Sequence, residues 1–327
     1  MLDRRDFLRA SMLGGVSAGA LGAFPGLASA QAIDELRVFV PANPGGGWDQ
    51  TARSIEQAMK AANLIKSARL THKGGAGGAV GLPEFLNQWK GQPNSLMVAG
   101  LVMVGALITN KSPVSLLTAT PIARLTEEYQ VIVAPANSPF KDLKDFAAAI
   151  KADAGKVSIA GGSAGGTDHI TVGLIAKTLG VEAKRVAYVA FAGGGPATAA
   201  ILGGQVAAGV SGYGEFAENI KAGKMKALGI SSEKRVAGID VPTFKEQGID
   251  VSIANWRGVF APPGVTDAQR KAMVDLVEAM VKSAAWQEIL QKQDWTNVLM
   301  MGDSFGGYVK AEFDRIGAVL KDLGLAA

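Results

Sequence analysis

Gly161-Gly162-Ser163-Ala164-Gly165 fits G-x-S-x-G, the sharp strand-to-helix turn that presents a serine as an acyl-transfer nucleophile. The flanks fit as well, with apolar VSIA before the turn and a helical pattern after it. That chemistry needs a histidine base, and in that fold the histidine follows both the serine and the acid along the chain. Only His72 and His169 exist, and His169 stands six residues past Ser163. A helix starting near Thr167 carries His169 away from the turn or holds it as a cap. A serine hydrolase is therefore the disfavoured alternative. The chain has no Cys, which removes thiolate nucleophiles, disulfides and Cys-held metals, and two histidines argue against a zinc site.

The glycines suggest a different chemistry. Four clusters, Asn43–Trp48, Gly74–Gly78, Gly162–Thr167 and Ala192–Pro196, each stand between an apolar run and a helical pattern. In open α/β sheets, ligands bind outside the carboxyl ends of strands, where such turns lie. A helix N-terminus there offers free N–H groups and partial positive charge, and glycine lets an anion approach the backbone. One exposed helix terminus contributes only about 0.3–1 kcal/mol, whereas micromolar affinity needs about 8 kcal/mol. Several turns must therefore converge, which predicts two lobes closing on an anion. Nucleotide motifs do not fit: with Gly75 and Gly77 in place, Val80 stands where G-x-G-x-x-G needs its third glycine, and no G-x-x-x-x-G-K-[ST] is present. Asp49 and Asp168 near the turns read chiefly as caps, with water or a ligand amine as the other role, and Asp49 or Thr51 is expected to cap the first of these helices. Trp48 belongs to the core or to the cleft wall.

These turns need a frame. The strand-like run Glu35–Pro41 leads through the first cluster to Ala52, Ile55, Met59 and Ala62 at helical spacing. Leu82, Phe85, Leu86 and Trp89 follow the second cluster, and Ile170, Leu174 and Ile175 the third; Pro196 suits a first helical turn after the fourth. Strands alternating with helices predict α/β architecture with mostly parallel sheets. Two extended, proline-ended stretches, Glu128–Phe140 and Ala254–Gly264, interrupt the alternation and read as crossovers between lobes. Lobe one is then 31–130 plus 256–327, and lobe two is 131–255.

The chain has 327 residues, 48% hydrophobic and 19% charged, enough for two domains with packed cores. Residues 1–30 read as an export signal: Arg4, Arg5 and Arg9, a weakly apolar run, then Ala28-Ser29-Ala30 as a cleavage site. DRRDFLR resembles a twin-arginine signal, although Asp3 precedes the pair and Arg9 holds the usual Lys position; a general secretory signal is the alternative. Without this segment the chain carries 30 basic and 27 acidic side chains, and no basic run is interleaved with aromatics, which argues against nucleic acid. The most apolar stretch, Ser95–Thr109, is 15 residues long and reads as a buried strand running into a helix, since a membrane span needs about 20. A periplasmic protein without a lipid anchor is expected, because an anchor would need a Cys.

Taken in order, these segments resemble the extracytoplasmic solute-binding receptors of tripartite tricarboxylate transporters and the broader Bug family. PANPGGGWDQTAR is similar to the family's first ligand loop, GGAGGAVG to the second, and GGSAGGTDH to its Gly-Ser loop followed by His. YVAFAGGGPATAAILGGQV resembles its P-Y-x-G-G segment, with Ala190-Phe191 where Tyr-Lys is common. IKAGKMKALGISSEKR with VPTFKEQG, and NWRGVFAPPG, resemble further signatures. The resemblance implies a two-lobed periplasmic-binding fold of type II that is no enzyme and needs no cofactor or metal. It implies a monomer that grips a small carboxylate through backbone amides and waters and then docks on a membrane permease. A receptor presenting its ligand to a membrane kinase would carry the same motifs. Carried over residue by residue, the ligand contacts are Asn43, Gly45, Gly46, Gly47 and Trp48; Ala76, Gly77 and Gly78; Ser163, Gly166 and Thr167; and Gly193 and Gly194, with Ser211 as a further candidate. Gly-Gly-Gly-Trp-Asp resembles the tricarboxylate branch, which favours a citrate-like ligand.

Overall fold

A computed structural model describes residues 33–326, so the export signal read in residues 1–30 lies outside the described residues. In chain order the elements are β1 (Ile33–Val40), α1 (Gly47–Ala61), β2 (Ile65–His72), α2 (Leu82–Gln88), β3 (Ser95–Gly100), α3 (Leu101–Thr109) and β4 (Thr120–Pro135). Then come α4 (Leu143–Asp153), β5 (Ile159–Gly161), α5 (Thr167–Thr178), β6 (Tyr188–Ala190), α6 (Gly194–Leu202), β7 (Ala208–Gly212), α7 (Tyr213–Lys221) and β8 (Met225–Ile230). The chain finishes with β9 (Ala254–Ala261), α8 (Asp267–Lys282), α9 (Ala284–Lys292), β10 (Thr296–Met301) and α10 (Gly302–Asp322).

The strands run in the order β2-β1-β3-β9-β4-β7-β5-β6, with β10 and β8 also on β4. The pairs β1–β2, β1–β3, β5–β6 and β5–β7 are parallel, as strand–helix–strand units require. Every antiparallel pair involves β4 or β9, the crossover stretches. Strand β4 is the frame's central feature. Its first half pairs β9 in a register that ends with Tyr129 opposite Ala254, and at Gln130 it passes to β7, opposite Gly212. Both lobes thus share one continuous strand.

Each lobe has its own core. In the first, Phe39, Phe85 and Trp89 stack within 5.4–5.8 Å of one another, and α1 sets Ala52, Ile55, Ala58 and Met59 against the sheet. Full burial of one such aliphatic or aromatic side chain stabilises by roughly 1.5–3 kcal/mol. The second sheet is covered on one face around Phe146, Ile159 and Phe244, and on the other around Val131, Ile201 and Phe216. The apolar stretch Ser95–Thr109 becomes β3 and α3; α3 lacks a polar face because it packs between α10 and α5. Among the described residues no helix is long and apolar enough to cross a membrane.

Candidate functional site

Three helices away from the cleft start conventionally. Asp142 caps α4, Thr266 caps α8 in a capping box, and Ser283 caps α9. Helices α1, α5, α6 and α7 begin instead after Gly46, Gly166, Gly193 and Gly212, with no side-chain cap. Their first N–H groups are left for other acceptors. The expectation that Asp49 or Thr51 caps α1 is overturned, because the helix already starts at Gly47. Thr51 Oγ1 donates back to the Gly47 carbonyl at 2.8 Å. Asp49 accepts from Gly45 N–H at 3.0 Å, from Arg53 at 3.0 Å and pairs with His72 Nε2 at 2.7 Å. Burial alone would raise the Asp49 carboxyl, but these partners outweigh it and hold the group below the usual carboxylate range. Asp49 is fully occupied as a brace.

The turn at Ser163 is braced as thoroughly. Gly162 N–H donates to Asp168 Oδ2 at 2.7 Å, Gly165 N–H to His169 Nδ1 at 3.1 Å, and the Tyr188 hydroxyl to the Ser163 carbonyl at 2.8 Å. His169 lies flat on Tyr188, ring centres 4.2 Å apart. Burial depresses its imidazole to about 4, so the ring is a neutral acceptor at physiological pH and no base for Ser163. Ser163 itself is only 2% exposed. With just two histidines in the chain, the state of His169 is directly readable: its ring carbons in a proton–carbon NMR titration should hold steady from pH 8 to 5 and shift with a midpoint near 4. A midpoint near 6.5 would show an exposed ring. The sign for stability follows, since a depressed pKa contributes stability at neutral pH that is lost on acidification from about 6.5 towards 4.

One cavity, of about 50 Å³, lies where the two lobes meet, with room for roughly three to five water molecules. All four glycine turns reach it. Of the residues singled out from the sequence, Gly46, Gly47, Trp48, Gly77, Gly193, Gly194 and Ser211 line it. Gly193 needs its φ of 114° to turn the chain into α6, a conformation that strains any residue with a Cβ. Trp48 is both core and wall: it is 6% exposed, packs beneath Gly78 and borders the cavity.

Asn43, Gly45, Ala76, Gly78, Ser163, Gly166 and Thr167 fall outside the lining and shape the turns from behind. Asn43 N–H donates to the Ala192 carbonyl across the lobes at 3.4 Å, and Thr167 Oγ1 donates to Asn255 Oδ1 on β9 at 3.0 Å. Residues that the sequence reading passed over complete the wall: Glu215 at the start of α7, and Asn255 and Arg257 on β9. Behind them Arg257 Nη2 is paired with Glu128 Oε1 of β4, with Glu215 Oε1 at 3.5 Å. The signal for Arg257 was present: one charge inside the apolar strand ANWRGVFA demands a buried partner. Burial, and after it the charge of Asp168, pushes the Glu215 carboxyl up to about 8; Ser211 and Gly47 N–H offset this only in part. Burial likewise lifts Asp168 to about 7 and lowers Arg257 to about 9, which still leaves the guanidinium charged at neutral pH.

Two lobes on shared crossover strands, with bare helix N-termini facing a cavity between them, define a bilobal solute-binding protein. The sequence profile of the tripartite tricarboxylate transporter family receptor matches residues 52–325, and the chain belongs to that family. Protein BugT of Bordetella pertussis is 26% identical over 295 residues, covering 88% of this chain and 89% of that protein. Among solved structures, the periplasmic binding protein BugD has the same fold, with a TM-score of 0.81 at 24% identity over 90% of this chain and 98% of that one. MatC from Rhodopseudomonas palustris, solved with bound malate, has a TM-score of 0.77 at 24% identity, over 88% and 99% of the two chains. The family is one of receptors, not enzymes, so the G-x-S-x-G turn is a structural turn here.

Proposed function

We propose that this protein captures a small organic carboxylate between its lobes and delivers it to a membrane permease of the tripartite tricarboxylate type. The convergence of four glycine turns, from both lobes, on one cavity carries this reading. A hydrogen bond to a charged group nets about 1.5–3 kcal/mol, so about four such bonds supply what micromolar affinity needs. In this reading Gly46, Gly47, Gly77, Gly193, Gly194 and Ser211 grip the ligand, Trp48 walls it, and the outer residues hold the turns in shape. The malate of the MatC structure supports a short dicarboxylate in place of the citrate-like ligand that the Gly-Gly-Gly-Trp-Asp resemblance suggests. Lobe one comprises residues 31–130 and 256–327, and lobe two 131–255. Residues 1–30 direct a monomer to the periplasm, where it works without cofactor.

Titration calorimetry of the folded protein against mono-, di- and tricarboxylates tests the proposal. At least one should bind with micromolar or tighter affinity, and small-angle scattering should show the protein more compact with that ligand, since only preference for the closed form can shift the population. Silence across the whole panel would overturn it.

A further inference from the structure

We propose that the carboxylate ligand is bound together with a proton, and that Glu215 holds that proton. This goes beyond the capture reading above and rests on it. The basis is the balance of buried charge. Two carboxyls, Asp168 of α5 and Glu215 of α7, line the cavity, and each is only 6% exposed. A third, Glu128 of β4, lies behind them. Against these three stands one cation, Arg257 of β9, which is paired with Glu128 and has Glu215 Oε1 at 3.5 Å. The other groups at the Glu215 carboxyl are uncharged: Ser211 of β7, Gly47 N–H at the head of α1, and the Gly46 and Gly194 backbones. With every group ionised, three carboxylates against one guanidinium leave two uncompensated negative charges. A carboxylate ligand adds at least one more. Buried charge without a counter-ion is costly, and a carboxyl relieves it by taking a proton. Glu215 is the group placed to do so. Glu128 keeps the guanidinium and Asp168 accepts from Gly162 N–H at 2.7 Å, whereas Glu215 has only a distant share of Arg257. Its position at about 8, set by burial and then by the charge of Asp168, agrees. The proton also changes what Glu215 offers an anion, for an ionised carboxylate only accepts and a protonated one donates an O–H. Above about pH 8 the free protein loses this proton and must regain it on binding, so affinity falls as pH rises.

Titration calorimetry from pH 6 to 9 tests this, with malate as the probe or, if malate is silent, the tightest binder of the acid panel. Such acids are fully ionised at pH 9, so the proton is drawn from the buffer, and two buffers of different ionisation enthalpy count it. The unaltered protein should take up about one proton or more per ligand at pH 9 and bind at least about tenfold more weakly there than at pH 7. Glu215→Gln, an uncharged amide of the same shape, should take up about one proton fewer, lose about tenfold of that decline and bind more tightly than the unaltered protein at pH 9. A merely structural role would weaken the variant at every pH and overturn the inference. Equal affinity at pH 7 and 9 without proton uptake also overturns it and leaves carboxylate capture standing. If every acid is silent, the capture reading fails and the coupling with it. Should Glu215→Gln not fold, the break in affinity against pH decides: near 8 it assigns the proton to Glu215, and a break only near 7, the position of Asp168, overturns the assignment.

Discussion

The Arg257→Met variant is expected to unfold about 5–8 °C below the parent protein, equivalent to roughly 3–5 kcal/mol. The expectation follows from where the two crossover strands set their charges. Thr126 of β4 stands opposite Arg257 of β9, and Glu128 opposite Asn255, so Glu128 and Arg257 are diagonal neighbours at the point where β4 leaves one lobe for the other. Their side chains are 2% and 1% exposed, and Gly212 of β7 makes room for them, because any Cβ there would collide with the Glu128 carboxylate. The guanidinium also lies 5.3 Å from the centre of the Trp295 ring. A methionine fills much of the same volume but leaves Glu128 buried beside Glu215 without a cation. The double variant Glu128→Leu/Arg257→Met removes both charges and should recover most of the loss, since an apolar pair in place of a buried ion pair is often neutral. Differential scanning fluorimetry on the two single variants and the double closes the cycle. A single variant within about 1 °C of the parent would show that the pair contributes nothing to the hinge.

The contrast between Arg257 and the glycine turns shows what the amino-acid order discloses. Strand, glycine cluster and helix succeed one another within some twenty residues, and hydrophobic periodicity marks each of them, so the turns and their helices were legible. Their convergence was legible only through the resemblance and the magnitude argument that one helix terminus is too weak. The ion cluster was hidden for a geometric reason: Glu128 and Arg257 lie far apart in sequence and meet through the strand register of β4 and β9, which no local pattern specifies. Glu215 was hidden for another reason. It sits in the first turn of α7, where a carboxylate reads as an ordinary complement to the helix dipole, yet it crosses the cleft towards Gly47 at the start of α1. Ser163 erred in the opposite direction. Its motif was conspicuous, but while Gly162 of the same turn lines the cavity, the Ser163 side chain is buried under Gly77 and Gly166.

Gly46→Val should weaken ligand binding at least tenfold while leaving the fold intact. The backbone at Gly46 is extended, with φ −100° and ψ 176°, a conformation that valine adopts without strain, so the substitution is not expected to disturb the start of α1. Its effect lies across the cleft. A Cβ on Gly46 would stand 2.9 Å from the Gly194 nitrogen and 3.4 Å from its Cα, both backbone atoms of the opposite lobe at the head of α6. Backbone within a helix start cannot swing aside as a side-chain tip can, so the lobes must remain apart by about the amount that valine intrudes. The amides of Gly193 and Gly194 then no longer share a ligand with those of Gly46 and Gly47, and losing one or two hydrogen bonds to a charged group, about 1.5–3 kcal/mol each, corresponds to at least tenfold in affinity. Calorimetry reads the affinity, and scattering supplies the independent check: the variant with saturating ligand should keep the expanded profile of the ligand-free protein. A variant that binds and compacts like the parent would mean that the two glycines do not meet in the liganded state, and the closed geometry at Gly46 and Gly194 would have to be abandoned.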